Sequence, residues 1–115
     1  MIIVAGGDPG RLHAALSVAA AWAALDRAAH VFLQADAVGL LRSGPAGDDQ
    51  RHRQSGTPTL RELLEESLAL GVSVTACQSG LALSGLGAGD LPVGVETGGL
   101  LDSLSRHGND QLMMT

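Results

Sequence analysis

Short unbroken apolar runs alternate with helical segments along this chain, and that alternation restricts its fold more than any other feature. Ile2 to Ala5 carries no polar residue, the pattern of a strand covered on both faces. Gly6-Gly7-Asp8-Pro9 follows, with Asp8 suited to cap a helix and Pro9 to its first position. That helix is expected to run to Asp26 or Arg27. His30 to Gln34 reads as the second strand and Asp36 to Leu41 as a short amphipathic segment. Ser43 to Pro58 holds almost nothing apolar and reads as a mobile loop edging a pocket. Thr59, with Glu62 three residues on, forms a capping box for a helix from Leu60 to Leu70, which Gly71 stops. Val72 to Thr75 is then a strand, Gln78 to Leu86 a helix, Leu91 to Val95 a strand, Gly98 to His107 a helix and Gln111 to Met114 a final strand. Strands alternating with helices predict an α/β sandwich with a mainly parallel sheet, as one domain over residues 1–115. In such sheets the carboxyl ends of the strands form the functional edge. Three loops should meet there: Gly6 to Pro9, Gln34 to Asp36, and Ala76 to Ser79.

The core has to be aliphatic, because Trp22 and Phe32 are the only aromatic residues besides histidine. The first helix is apolar nearly all round. Leu12, Leu16, Ala19 and Ala23 make one stripe, and Ala14, Val18, Ala21, Trp22 and Leu25 cover much of the opposite side. Only His13 and Ser17 mark a polar strip. A helix of this kind is normally buried on all sides, so its outer face is expected to meet another subunit. The net charge of −5 argues against a nucleic-acid partner. All seven basic residues are arginines, which excludes Schiff-base chemistry on a lysine side chain. No run approaches the roughly 20 apolar residues of a membrane span. The chain opens directly into a strand, so a soluble, cytoplasmic protein is expected. The four histidines lack metal-ligand spacing and read as solvated or capping; Glu65-Glu66 and Asp48-Asp49 read as solvated charge. Neither a metal nor a cofactor is expected.

One residue offers chemistry. Cys77 is the only cysteine, which rules out an internal disulfide, a Cys-x-x-Cys redox pair and a cysteine zinc site. It stands where a strand hands over to a helix, and the unpaired backbone N–H groups of a helix start favour thiolate over thiol. The opposing reading is a small buried hydrophobe, since unpaired cysteines are among the most buried residues. The glycine-rich stretches do not compete. Gly85-x-Gly87-x-Gly89 follows a helix, Gly6 to Gly10 has no Walker lysine, and both read as turns. No Gly-x-Ser-x-Gly elbow is present. A flavin or nucleotide module would lack both a phosphate loop and flanking aromatics. Among thiol loops, a tyrosine-phosphatase type would need Arg where Leu83 stands. A rhodanese-type Cys-x-x-Gly-x-Arg is matched by Cys77 and Gly80, but Ala82 replaces its anion-binding Arg. A sulfane sulfur needs less: a sulfur atom, access, and stabilisation of the persulfide anion.

Several segments, in order, resemble the DsrE/DsrF-like family of small sulfur-relay proteins. They are the Asp8-Pro9 loop after the first strand, Val31-Phe-Leu-Gln-Ala-Asp-Ala-Val38, Leu70-Gly-Val-Ser-Val-Thr-Ala-Cys77, Gly85-Leu86, and Val95-Glu-Thr-Gly-Gly99. Leu83 and Ser84 stand where sulfur-relay members tend to carry Arg. The resemblance implies a three-layer α/β/α sandwich with a five-stranded sheet, assembled as a homotrimer or homohexamer. It also implies a sulfur carrier, sulfurtransferase-like, that holds a persulfide on Cys77 between a donor protein and an acceptor protein. Amides near Gln78 and Ser79 would stabilise the anion, and Asp8 and Asp36 would line the pocket. The alternative is a non-catalytic structural or binding subunit with Cys77 buried and inert.

Overall fold

The computed structural model describes residues 1–42, 47–107 and 111–115. Five parallel strands form one sheet in the order β4-β3-β2-β1-β5. They are β1 (Ile2–Val4), β2 (His30–Leu33), β3 (Ser73–Cys77), β4 (Glu96–Gly98) and β5 (Met113–Met114). The helices are α1 (Pro9–Ala24), α2 (Asp49–Ser55), α3 (Leu60–Ala69), α4 (Gln78–Ser84) and α5 (Leu100–His107), with 3₁₀ segments at Ala35–Leu41 and Ala88–Asp90. Steps from β1 to β4 all progress in one direction, so right-handed crossovers put α1, α3 and α4 on one side of the sheet. The return from β4 to β5 puts α5 on the other. This is the three-layer sandwich the sequence predicts.

Register explains the core. Ile2 pairs with Val31 and Val31 with Val74, while Val4 pairs with Leu33 and Leu33 with Ala76. These side chains share one face and are all buried, against Leu12, Leu16 and Ala19 of α1 and Leu60, Leu63 and Leu64 of α3. Asp8 caps α1 by accepting from the Gly10 N–H at 2.9 Å. Thr59 and Glu62 form the expected reciprocal box at the start of α3. The backbone and side-chain bonds from Thr59 hold the Glu62 carboxyl below its ordinary range. The outer face of α1 stays uncovered in the single chain: Val18 is 47% exposed, Trp22 41% and Leu25 66%. No helix among the described residues is long and apolar enough to cross a membrane.

Several expectations need correction. The fourth strand is not Leu91 to Val95 but Glu96–Gly98. Pro92 to Val95 closes a turn, with the Val95 N–H on the Pro92 carbonyl and Gly94 at φ +96°, and Val93 points almost wholly into solvent. The helix expected from Gly98 accordingly begins at Leu100, because Gly98 pairs with Cys77. The stretch expected to be a mobile loop contains α2, ended by Gly56 in the left-handed conformation. Residues 43–46 of that stretch lie outside the described residues. Asp49 is buried, not solvated.

The histidines explain how so polar a segment stays helical. His52 of α2 stacks on His13 of α1 with ring centroids 4.0 Å apart and an interplanar angle of 7°. His13 Nε2 also bonds the Pro58 carbonyl, and His52 Nδ1 the Thr57 hydroxyl, both at 2.9 Å. His30 and His107 form a second stack at 3.5 Å. The solvated role read for the histidines is thus replaced by two docking contacts. Limited proteolysis should therefore spare Arg51 and Arg53 in the folded protein. His52→Ala should speed cutting at both about fivefold, since an aromatic stack is worth roughly 1 kcal/mol. Unchanged cutting would show that α2 is held by other contacts.

Candidate functional site

Cys77 is the last residue of β3 and the N-cap of α4, the strand-to-helix junction read from the sequence. It is 5% exposed. Its burial opposes ionisation, but the Ser79 hydroxyl and the nearby backbone amides of Gly80, Ser79 and Ala35 outweigh it. The net effect holds the thiol below its ordinary value. The Ser79 Oγ lies 3.0 Å from Sγ.

Ala35 lies in the Gln34 to Asp36 loop expected at this edge, and Gly80 holds the rhodanese-type spacing from Cys77. The structure gives Gly80 a further part. A β-carbon there would sit 2.5 Å from Val38 Cγ2 and 2.9 Å from the Ala35 carbonyl oxygen, so only glycine lets the Ala35–Leu41 segment lie on α4. Ala35 follows β2 directly and has φ +53°. A residue with a β-carbon held there costs on the order of 1–2 kcal/mol, and here the conformation coincides with an amide that helps lower the Cys77 thiol. No sequence signal marks Ala35, because its role comes from a neighbouring strand.

The other expected site residues are placed as follows. Ser79 is in contact with the sulfur. Gln78 is exposed at the first position of α4, and its amide is not among the donors named above. Asp36 is exposed in the first turn of the Ala35–Leu41 segment, and its Cβ would lie 3.5 Å from a β-carbon at Gly7. Asp8 is occupied at the α1 N-terminus, with Arg11 3.8 Å away. Both carboxylates thus lie on the loops after β1 and β2, and neither is among the groups acting on the thiol. Among the described residues no His, Cys, Asp and Glu cluster could hold a metal.

This defines an all-parallel α/β/α sandwich with one cysteine at a strand end, its sulfur 3.0 Å from the Ser79 hydroxyl. No family model and no curated protein matches the chain. Solved structures do. The protein of unknown function MTH1491 from Methanobacterium thermoautotrophicum aligns with a TM-score of 0.72 at 19% identity, over 99% of this chain and 96% of the other. The ychN protein from E. coli aligns with a TM-score of 0.70 at 21% identity, over 99% and 97%. The likeness is one of fold.

The lowered thiol value has a definite sign. The ionised sulfur stabilises the folded state above the ordinary value near 8.5, and that gain is lost as pH falls through the folded value. Alkylation of native Cys77 by iodoacetamide should accordingly reach its half-maximal rate below the pH of a free thiol. Ser79→Ala should slow the reaction at pH 7 about fivefold, less than for a buried charged hydrogen bond because Ser79 is exposed. A rate profile matching free cysteine in both proteins would contradict this account.

Proposed function

We propose that this protein is a cytoplasmic sulfur carrier of the DsrE/DsrF-like kind, and that Cys77 accepts sulfane sulfur from a persulfide donor and passes it to an acceptor protein thiol. The observation that carries the reading is the set of groups around one sulfur that hold its thiol below the ordinary value: the Ser79 hydroxyl at 3.0 Å and the nearby amides of Gly80, Ser79 and Ala35. Such a set favours a sulfur anion, whether thiolate or persulfide, without requiring a local cation. That matters because Leu83 and Ala82 occupy the positions where other thiol loops carry Arg. The order of the sequence motifs and the likeness of fold support the same family. Loading is a thiolate attack on the outer sulfur of the donor, with the donor thiolate leaving. Unloading is the same step in reverse, onto the acceptor thiolate.

The native protein, incubated with a persulfide donor, should gain the mass of one sulfur atom, and Cys77→Ser should abolish the gain while keeping the fold. Resistance of native Cys77 to alkylation until denaturation would favour the inert-subunit reading, in which the sulfur only fills space.

The same reading includes a homotrimer or homohexamer held in part by the outer face of α1. Val18, Trp22 and Leu25 support it, since fully burying such side chains contributes roughly 1.5–3 kcal/mol each. Light scattering at micromolar concentration should give an oligomer mass, and Val18→Glu should split the assembly by stranding an unpaired ion in a desolvated contact. A monomer mass for the wild type would overturn the assembly.

A further inference from the structure

We propose that the groove between α5 and strands β3 and β4 binds the sulfur donor, and that this donor is a low-molecular-weight persulfide with an α-amino-acid group instead of a protein. The inference rests on the reading of Cys77 as a sulfur acceptor. The two faces of β3 differ. Val74 and Ala76 are buried on the α1–α3 side, whereas Ser73 and Thr75 line a groove of about 650 Å³ on the α5 side. Glu96 lines it from β4, and Ser103 and Arg106 line it from α5. The groove is therefore lined mainly by polar side chains, which suits a polar ligand.

Charge complementarity names the ligand class. Among the described lining residues Asp102 and Arg106 pair at 3.2 Å and offset each other, which leaves Glu96 as the remaining carboxylate, with His107 also in the lining. Its complement is an ammonium group. The guanidinium of Arg106 has further N–H donors for a carboxylate, and the hydroxyls of Ser73 and Thr75 can bond either end. A ligand with both charges on one carbon is an α-amino acid.

Position links the groove to the sulfur. Gly98 lines the groove and is the register partner of Cys77. Side chains two apart on a strand share a face, so Thr75 and Cys77 project alike, about 6–7 Å apart along β3. A small amino-acid persulfide lying along the strand spans that distance. A β-carbon at Gly98 would sit 3.3 Å from Thr75 Cγ2, a tight contact that the glycine avoids beside the buried Cys77. In the transfer, the Cys77 thiolate attacks the outer sulfur of R–S–S–H. The Sγ–S bond forms as the donor S–S bond breaks, and its electron pair leaves with R–S⁻. The proton stays on the transferred sulfur, and no external oxidant is needed.

The test uses S-methylglutathione, an unreactive thioether, titrated into the full-length protein by calorimetry. Saturable binding is expected in the wild type and equally in Cys77→Ser. Glu96→Gln and Arg106→Gln should weaken it at least tenfold, with thermal melting as the control for folding. Both variants should also lose the preference for glutathione persulfide over inorganic polysulfide as the source of sulfur on Cys77. Absence of saturable binding, or binding indifferent to both substitutions in folded protein, overturns the groove. Intact binding with no sulfur gained on Cys77 from either source overturns the carrier reading, and the donor assignment falls with it.

Discussion

With no side chain on Gly80, the segment Ala35–Leu41 can lie directly on the first turn of α4, where a β-carbon would meet both Val38 and the Ala35 carbonyl. That close approach sets the rest of the site. It sets Ala35, just past the end of β2, against the first turn of α4, and the Ala35 amide is among the groups that lower the Cys77 thiol. It also buries Ala37, Val38 and Leu41 against the sheet core, so aliphatic burial holds Ala35 in its left-handed conformation. A larger residue at position 80 would separate the two segments, and the donor from β2 would be lost with the packing.

The second organising fact is the inequality of the two sheet faces. One is covered by α1 and α3 through an aliphatic layer that runs from Ile2 to Ala76. The other is covered along β3 and β4 by α5, whose flank carries Asp102, Ser103 and Arg106. Direction along the sheet is the cause. Four strands step one way and collect three helices on one side, and only the single return crossover supplies a helix to the other. A thinly covered face leaves room beside the strand that ends in Cys77.

Much of this was legible in the residues themselves. Asp8 with Pro9 and Thr59 with Glu62 mark helix starts through local bonds, and both caps form as read. The unbroken apolar runs Ile2 to Val4 and Val31 to Leu33 are strands because a parallel sheet buries both faces. Cys77 falls on the strand-to-helix junction read for it. Segments whose structure depends on distant partners were not legible. Asp49 to Ser55 is almost wholly polar, yet it is helical with His52 lying on His13. Leu91 to Val95 has strand composition, but Pro92 and Gly94 fit a turn and the pairing with β3 begins only at Glu96.

Sequence alone therefore determined the alternation of elements, the caps, the aliphatic core and the position of the one cysteine sulfur. Those properties follow from local backbone preferences and from the period of apolar residues, both written in neighbouring positions. The tertiary structure alone decided which groups surround that sulfur, because Ala35 and Cys77 are brought together only by pairing of β2 with β3. It also decided that the four histidines stack in pairs and that the α5 side of β3 is an open polar groove. Contacts between residues far apart in the chain depend on strand order and crossover direction, and no single stretch of sequence encodes either.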